Sequence, residues 1–173
     1  MTEEITICTY PDPILRTRAK PVQDIDEEVQ HLIDRMAEIM YAAPGIGLAA
    51  NQVGELKRII VYDLTPRDSG RHLSVLINPK MVLSEGNMVY EEACLSVIDF
   101  SAEVTRKSKV KVRGLDRDGK PVDIEAEDNL LAICLQHEID HLNGTLYIDH
   151  ISSLKRALYK KRLIKMLKKA KES

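Results

Sequence analysis

Between Ile25 and Met40 the apolar residues Ile25, Val29, Leu32, Ile33, Met36, Ile39 and Met40 return to one face every three or four positions. That spacing predicts an amphipathic helix over about 25–42, opened by a capping box of Asp24 and Glu27 and stopped at Pro44 and Gly45. Upstream, TYPDPILRTRAKPV (9–22) carries three prolines and reads as an ordered loop laid over the core. From Lys57 to Glu127 the pattern shortens to strand-like runs: KRIIVY, HLSVLIN, KMVLS, NMVYEEA, AEVTR, KVKVRGL and VDIEAE. DRDGKP (116–121) links the last two as a hairpin turn. Helical spacing resumes over about 128–143, with Asp128 or Asn129 as cap and Gly144 as stop. A last helix, 153–170, is capped by Ser152 or Ser153, and its apolar Leu154, Leu158, Leu163, Ile164 and Leu167 are expected to dock one face on the domain. Strands in succession with hairpin-length links, flanked by helices, predict an α+β fold with antiparallel sheets packed around a central helix.

One stretch tempts a different reading. GIGLAA (45–50) spells the dinucleotide fingerprint G-x-G-x-x-A, but it follows a helix rather than a strand and does not open one, so nucleotide binding is excluded on context. What remains is a Gly-rich loop that lets backbone approach a ligand, with Gln52 offering an amide donor.

At 173 residues and 44% hydrophobic content the chain is expected to form a single domain, 1–173, with a core that needs no disulfides. Its three cysteines are an odd number, and no apolar run resembles a signal peptide or a membrane span. A reducing cytoplasm and no membrane partner are expected. The net charge of −2 conceals a division: residues 155–173 carry nine Lys/Arg against one acid, which leaves residues 1–154 at −10. The C-terminal helix is therefore a separate basic unit on an acidic body.

The chemistry concentrates in CLQHEIDHLNG (134–144), where His137, Glu138 and His141 form H-E-x-x-H. Residues i and i+4 of a helix share a face one turn apart, so both imidazoles reach one ion while Glu138 projects beside them as a general base. A catalytic site of this kind takes a third protein ligand. The downstream His of the metzincin pattern is absent, because Tyr147 stands there. Among the cysteines, Cys134 is seven residues from His141, about 10.5 Å of helix rise, too far for a short thiol to share the ion comfortably. Cys94, on a separate element, is the better candidate, with His72 and the carboxylates as rivals.

Three stretches, GIGLAANQ (45–52), EACLS (92–96) and QHEIDHLNG (136–144), together resemble the motifs of peptide deformylases in order and spacing. PDPILR, LLAICLQHE and DRDGKP extend the likeness over most of the chain. The resemblance implies a hydrolase that removes the N-formyl group from the initiator methionine of nascent polypeptides. It implies metal ligands Cys94, His137 and His141, with Glu138 as general acid/base and Gln52 and the Leu95 backbone N–H as oxyanion donors. Gly47 would bind the peptide backbone, while Ile46, Leu130, Ile133 and Cys134 would line the methionine pocket. The implied cofactor is one divalent ion, Fe(2+) in the cell, replaceable by Zn(2+), Ni(2+) or Co(2+). Two departures stand out: Ala93 replaces the usual Gly of E-G-C-L-S, and Ile98-Asp99 stands where Pro-Gly is common. If position 93 needs a positive φ, Ala93 would be strained. The rival functions are a metalloprotease using the same helix, and a ribosome-binding or RNA-binding module in which the metal is structural and the basic helix makes the contact.

Overall fold

The computed structural model of the chain describes residues 6–173. In order, its main elements are α1 (Glu27–Ala42), β1 (Gly47–Ala49), β2 (Ile59–Tyr62), β3 (Ser74–Glu85), β4 (Met88–Cys94), β5 (Val97–Arg106), β6 (Lys109–Leu115), β7 (Pro121–Glu127), α2 (Leu130–Leu142) and α3 (Ser153–Glu172). The strands form a five-stranded sheet, β1-β2-β3-β6-β7, and a separate β4-β5 ribbon, with every neighbouring pair antiparallel.

β2 explains how the layers assemble. All four of its residues are buried, and because side chains alternate across a strand they serve two cores. Ile59 and Val61 pack with Leu32, Ile33, Met36 and Met40 of α1, whereas Ile60 and Tyr62 pack with Leu135, Ile139 and Leu142 of α2. The sheet is thus covered by a helix on each face, with α2 central as the sequence pattern predicts. A third core joins β5 to the C-terminal elements through Val97, Val104, Tyr147, Ile148, Tyr159 and Leu163. The 9–22 segment is ordered as expected: Leu15 is fully buried, and Ala19 N–H donates to the Leu142 carbonyl at 2.9 Å.

Several local expectations change. Asp26, rather than an Asp24–Glu27 box, caps α1 by accepting from Val29 N–H at 2.9 Å, so the helix starts at Glu27. HLSVLIN and KMVLS merge into β3, which bends at register shifts between Ile77 and Leu83. The Gly-rich stretch is not a loop: its 47–49 portion pairs with β2, and Ala50–Val53 forms a 3-10 turn. AEVTR is only the second half of β5, because the first half cannot be read as a strand across the bulge described below. Asn129 caps α2 and Ser152 caps α3. In α3 only Tyr159 and Leu163 are buried, while Leu154, Leu158, Ile164 and Leu167 are exposed. The expected apolar docking face is therefore wrong, since those residues spread around the helix and the neighbouring β5 presents only a narrow contact. Among the described residues no helix is long and apolar enough to cross a membrane.

Candidate metal centre and active site

α2 brings His137 and His141 to the end of the helix nearest the β4-β5 ribbon, and β4 ends there at Cys94. The ligand atoms of Cys94, His137 and His141 lie within 4.8 Å of one another, the one cluster of this kind among the described residues. Cys94 Sγ is 3.3 Å from His141 Nε2. His72 lies elsewhere, its backbone N–H bonded to Asp63 at 2.7 Å, and Cys134 faces Gly47 instead of the cluster.

The ring orientation of His137 is set by a residue that sequence reasoning missed. Glu92 Oε1 is 2.7 Å from His137 Nδ1, which turns Nε2 toward the cluster. Arg106 in turn grips Glu92 with both arms, Nε to Oε2 at 2.7 Å and Nη2 to Oε1 at 2.9 Å, and donates from Nη1 to Asp140 at 2.5 Å. Asp140 continues the network to His150 at 2.9 Å. Burial would raise the Glu92 pKa, but the bonds from Arg106 and His137 outweigh it and hold the carboxyl at about 2. One signal bears on this group. Glu92 and Cys94 are two apart on one strand and so point the same way, a relation the sequence contains. Arg106 carries no such signal, because its place opposite β4 depends on strand register.

Burial holds His141 well below its ordinary pKa and keeps the ring neutral, the form a metal ligand needs. For His137 burial acts in the same direction, but bonds with Cys94 and Glu92 overcome it and raise the pKa well above the usual value. A cation entering the site therefore competes with a proton. A thiol and two imidazoles held this close, with one imidazole fixed by a carboxylate, fit a tetrahedral divalent ion of borderline softness.

Glu138 lies beside the cluster and is buried, with Oε2 lacking any hydrogen-bond partner. Burial raises its pKa to about 7, His137 opposing and Glu92 adding to the effect. Gln52, on the 3-10 turn after β1, accepts from Ala49 N–H at 2.9 Å and directs its amide nitrogen toward Ser96 Oγ (3.0 Å) and Cys94 Sγ (3.6 Å). Leu95 and Ser96 form the tight turn between β4 and β5. Glu138, Gln52 and Leu95 border a cavity of about 720 Å³, whose walls include Ile46, Gly47, Leu130, Ile133 and Cys134. All the sequence-predicted site residues except His141 line it, and His141 closes the cluster from behind.

The two departures from the family pattern now have physical readings. Ala93 lies in β4 opposite Ser101 and is not among the residues with positive φ, so the expected strain is absent. Asp99 does take a left-handed φ of 53°, a conformation Asp tolerates better than most residues. The ladder steps from Ala93↔Ser101 to Cys94↔Val97, so Ile98, Asp99 and Phe100 bulge out of β5 at the cavity mouth. α3 pins the bulge: Tyr159 Oη bonds the Ile98 carbonyl at 3.3 Å and Arg162 bonds that of Asp99.

An H-E-x-x-H helix whose imidazoles meet a thiol beside a buried carboxyl, on this α+β fold, is the arrangement of a metal-dependent hydrolase. Residues 5–157 match the polypeptide deformylase family. A peptide deformylase of Syntrophobacter fumaroxidans is 52% identical over 166 residues, 96% of this chain and 97% of that protein. The crystal structure of a peptide deformylase from Legionella pneumophila superposes with a TM-score of 0.88 at 44% identity, covering 97% of this chain and 98% of that one. A peptide deformylase from Ehrlichia chaffeensis in complex with actinonin gives a TM-score of 0.87 at 36% identity, over 94% and 96% of the two chains. The chain belongs to the peptide deformylase family. It is an enzyme of that family, whose members are metal-dependent hydrolases that remove the formyl group from an N-terminal methionine.

Proposed function

We propose that this chain deformylates the initiator methionine of nascent polypeptides and releases formate, using one divalent ion held by Cys94, His137 and His141. The observation that carries the reading is the convergence of three donor atoms within 4.8 Å at the wall of a cavity that also holds a buried, unpartnered carboxyl. When bound, the ion supplies Lewis acidity and lowers the pKa of a water toward about 7. Fe(2+) is the ion in the cell, with Zn(2+), Ni(2+) or Co(2+) as substitutes that share its affinity for thiolate and imidazole.

Glu138 takes the proton of the attacking water and passes it to the departing amine, a role suited to a carboxyl whose burial favours its protonated form. Negative charge growing on the formyl oxygen meets the Gln52 amide and the Leu95 backbone N–H. The methionine side chain enters the apolar wall formed by Ile46, Leu130, Ile133 and Cys134. Gly47 binds the peptide backbone: β1 is an edge strand, so an extended chain can bond to it. The 1–173 chain acts as one cytoplasmic catalytic domain. Exposed lysines of α3 supply a surface for ribosomal RNA or protein near the emerging substrate.

The test is an anaerobic preparation assayed for formate release from formyl-Met peptides, with metal analysis of the same sample. Formate should appear in proportion to bound metal, and actinonin should inhibit. Release of free amino acid or peptide fragments without formate would establish a protease instead.

A further inference from the structure

The tight turn between β4 and β5 holds a polar side chain for which the proposed chemistry has no direct use. Ser96 is fully buried, and its Oγ lies 3.0 Å from Gln52 Nε2. Gln52 has two orientations that differ by exchange of its amide oxygen and nitrogen, and only one places N–H groups toward the metal cluster. Two contacts decide between them. Ala49 N–H donates to Oε1 at 2.9 Å, which would become a donor facing a donor if the amide turned over. On the other side Nε2 has two hydrogens: one is used on Ser96, and this aims the second at Cys94 Sγ, 3.6 Å away, where the formyl oxygen would also approach.

The backbone braces the same pair from behind. Cys8 N–H donates to the Gln52 carbonyl at 2.7 Å, and Tyr10 N–H donates to the Ser96 carbonyl at 2.7 Å. Residues 8 and 10 of one extended segment therefore tie together the two turns that carry Gln52 and Ser96. This strap fixes their separation without touching the cavity, since neither Cys8 nor Tyr10 lines it.

We propose that Ser96 is a positioning residue that, with the Cys8–Tyr10 strap, holds the Gln52 amide with one N–H directed at the Cys94 sulfur and the reacting oxygen. The proposal rests on the reading of Gln52 as an oxyanion donor. Ser96 does not touch the peptide, so its loss should lower kcat and leave KM in place. Without the hydroxyl the amide samples other orientations, and the N–H bond to the thiolate weakens with it.

The experiment compares the parent with Ser96→Ala, Ser96→Thr, Gln52→Ala and the Ser96→Ala/Gln52→Ala double variant, each loaded with Co(2+). Ala is smaller than Ser and leaves the Tyr10 backbone bond intact, so the variant keeps its fold, and circular dichroism confirms this before kinetics. In Ser96→Ala, kcat should fall about 5- to 10-fold, the equivalent of one lost hydrogen bond, with unchanged KM and metal content. The double variant should be no slower than Gln52→Ala alone, because the two residues act as one unit. Ser96→Thr, which keeps the hydroxyl, should recover most of the rate. The thiolate-to-cobalt absorption band should move to longer wavelength in Ser96→Ala, since a sulfur that loses a donor holds its electrons less tightly. Losses that multiply in the double variant, or an unshifted band, would overturn the proposal. If the parent releases no formate, the functional reading fails on its own, and the band still decides whether Ser96 orients the amide against Cys94.

Discussion

Replacing Arg106 by Met isolates the most deeply buried Arg–carboxylate pair among the described residues. The substitution keeps most of the aliphatic volume but removes the guanidinium that binds Glu92 at 2.7 and 2.9 Å and Asp140 at 2.5 Å. Arg106 and Glu92 are both nearly inaccessible, with side chains 5% and 3% exposed, so water cannot replace the lost partner. Breaking a buried pair from one side typically costs about 3–5 kcal/mol. Linkage gives a figure of the same order for Arg106 and His137 together: a carboxyl held at about 2 rather than its ordinary 4.5 corresponds to about 3 kcal/mol at 1.36 kcal/mol per pH unit. The sign follows from the depressed folded-state pKa. In the parent this stabilisation is complete above pH 4.5 and drains away as the pH falls toward 2. In Arg106→Met only His137 is left to oppose burial, so the Glu92 pKa rises and that window weakens. Urea unfolding of parent and variant from pH 7 down to pH 3 should therefore show a gap of about 3 kcal/mol at neutrality that narrows steadily below pH 4.5. A gap that stays constant with pH would mean that Arg106 matters for packing alone and would refute the argument.

Four further outcomes are expected. Glu138→Ala should retain stoichiometric metal while formate release drops at least about 100-fold, and loss of the metal would show that this carboxyl is a ligand. Among the cysteine-to-serine variants, Cys94→Ser should bind metal poorly and Cys134→Ser normally, as read by elemental analysis after gel filtration. Gly47→Ala places a methyl 2.7 Å from Glu138 Oε1 and 3.1 Å from Cys134 Sγ. Because β1 is held in register by β2, the Glu138 carboxyl must move, and activity should fall about 100-fold with a stability loss of about 1–3 kcal/mol; a fully active variant would show that the site yields easily. Reversing Lys160, Lys161, Lys165 and Lys168 to Glu should abolish low-salt cosedimentation with ribosomes and leave hydrolysis of a short formyl-peptide unchanged. The reversal keeps α3 in place, which matters because Tyr159 and Arg162 hold the bulge at the cavity mouth.

Features encoded within a turn or two of chain were legible without coordinates. The i, i+4 histidines placed Glu138 beside them, since helical periodicity alone puts the two imidazoles on one face of α2 with residue 138 next to them. Likewise, DRDGKP specified its hairpin: Asp116 Oδ1 accepts from the N–H groups of Asp118 and Lys120, both at 2.9 Å, and Gly119 takes φ 81°. Cys94 could be named as a ligand candidate because a third ligand from another element was required, although the distance that unites it with His141 is a tertiary fact.

Other features depended on pairing between distant segments. β4 reads as an ordinary strand, yet it exposes Val89 and Tyr90 and buries Glu92, because Glu92 faces His137 of α2 and Arg106. Which residue of β5 meets Glu92 is set by the three-residue bulge at 98–100, and nothing local announces its length. Ser96 meets Gln52 from a distant part of the chain, at a place where the segment at residues 8–10 bonds to both of their turns. Periodicity records which face a residue occupies on its own element. Strand register and the crossing of loops decide what stands opposite that face, and those depend on the packing of the whole chain.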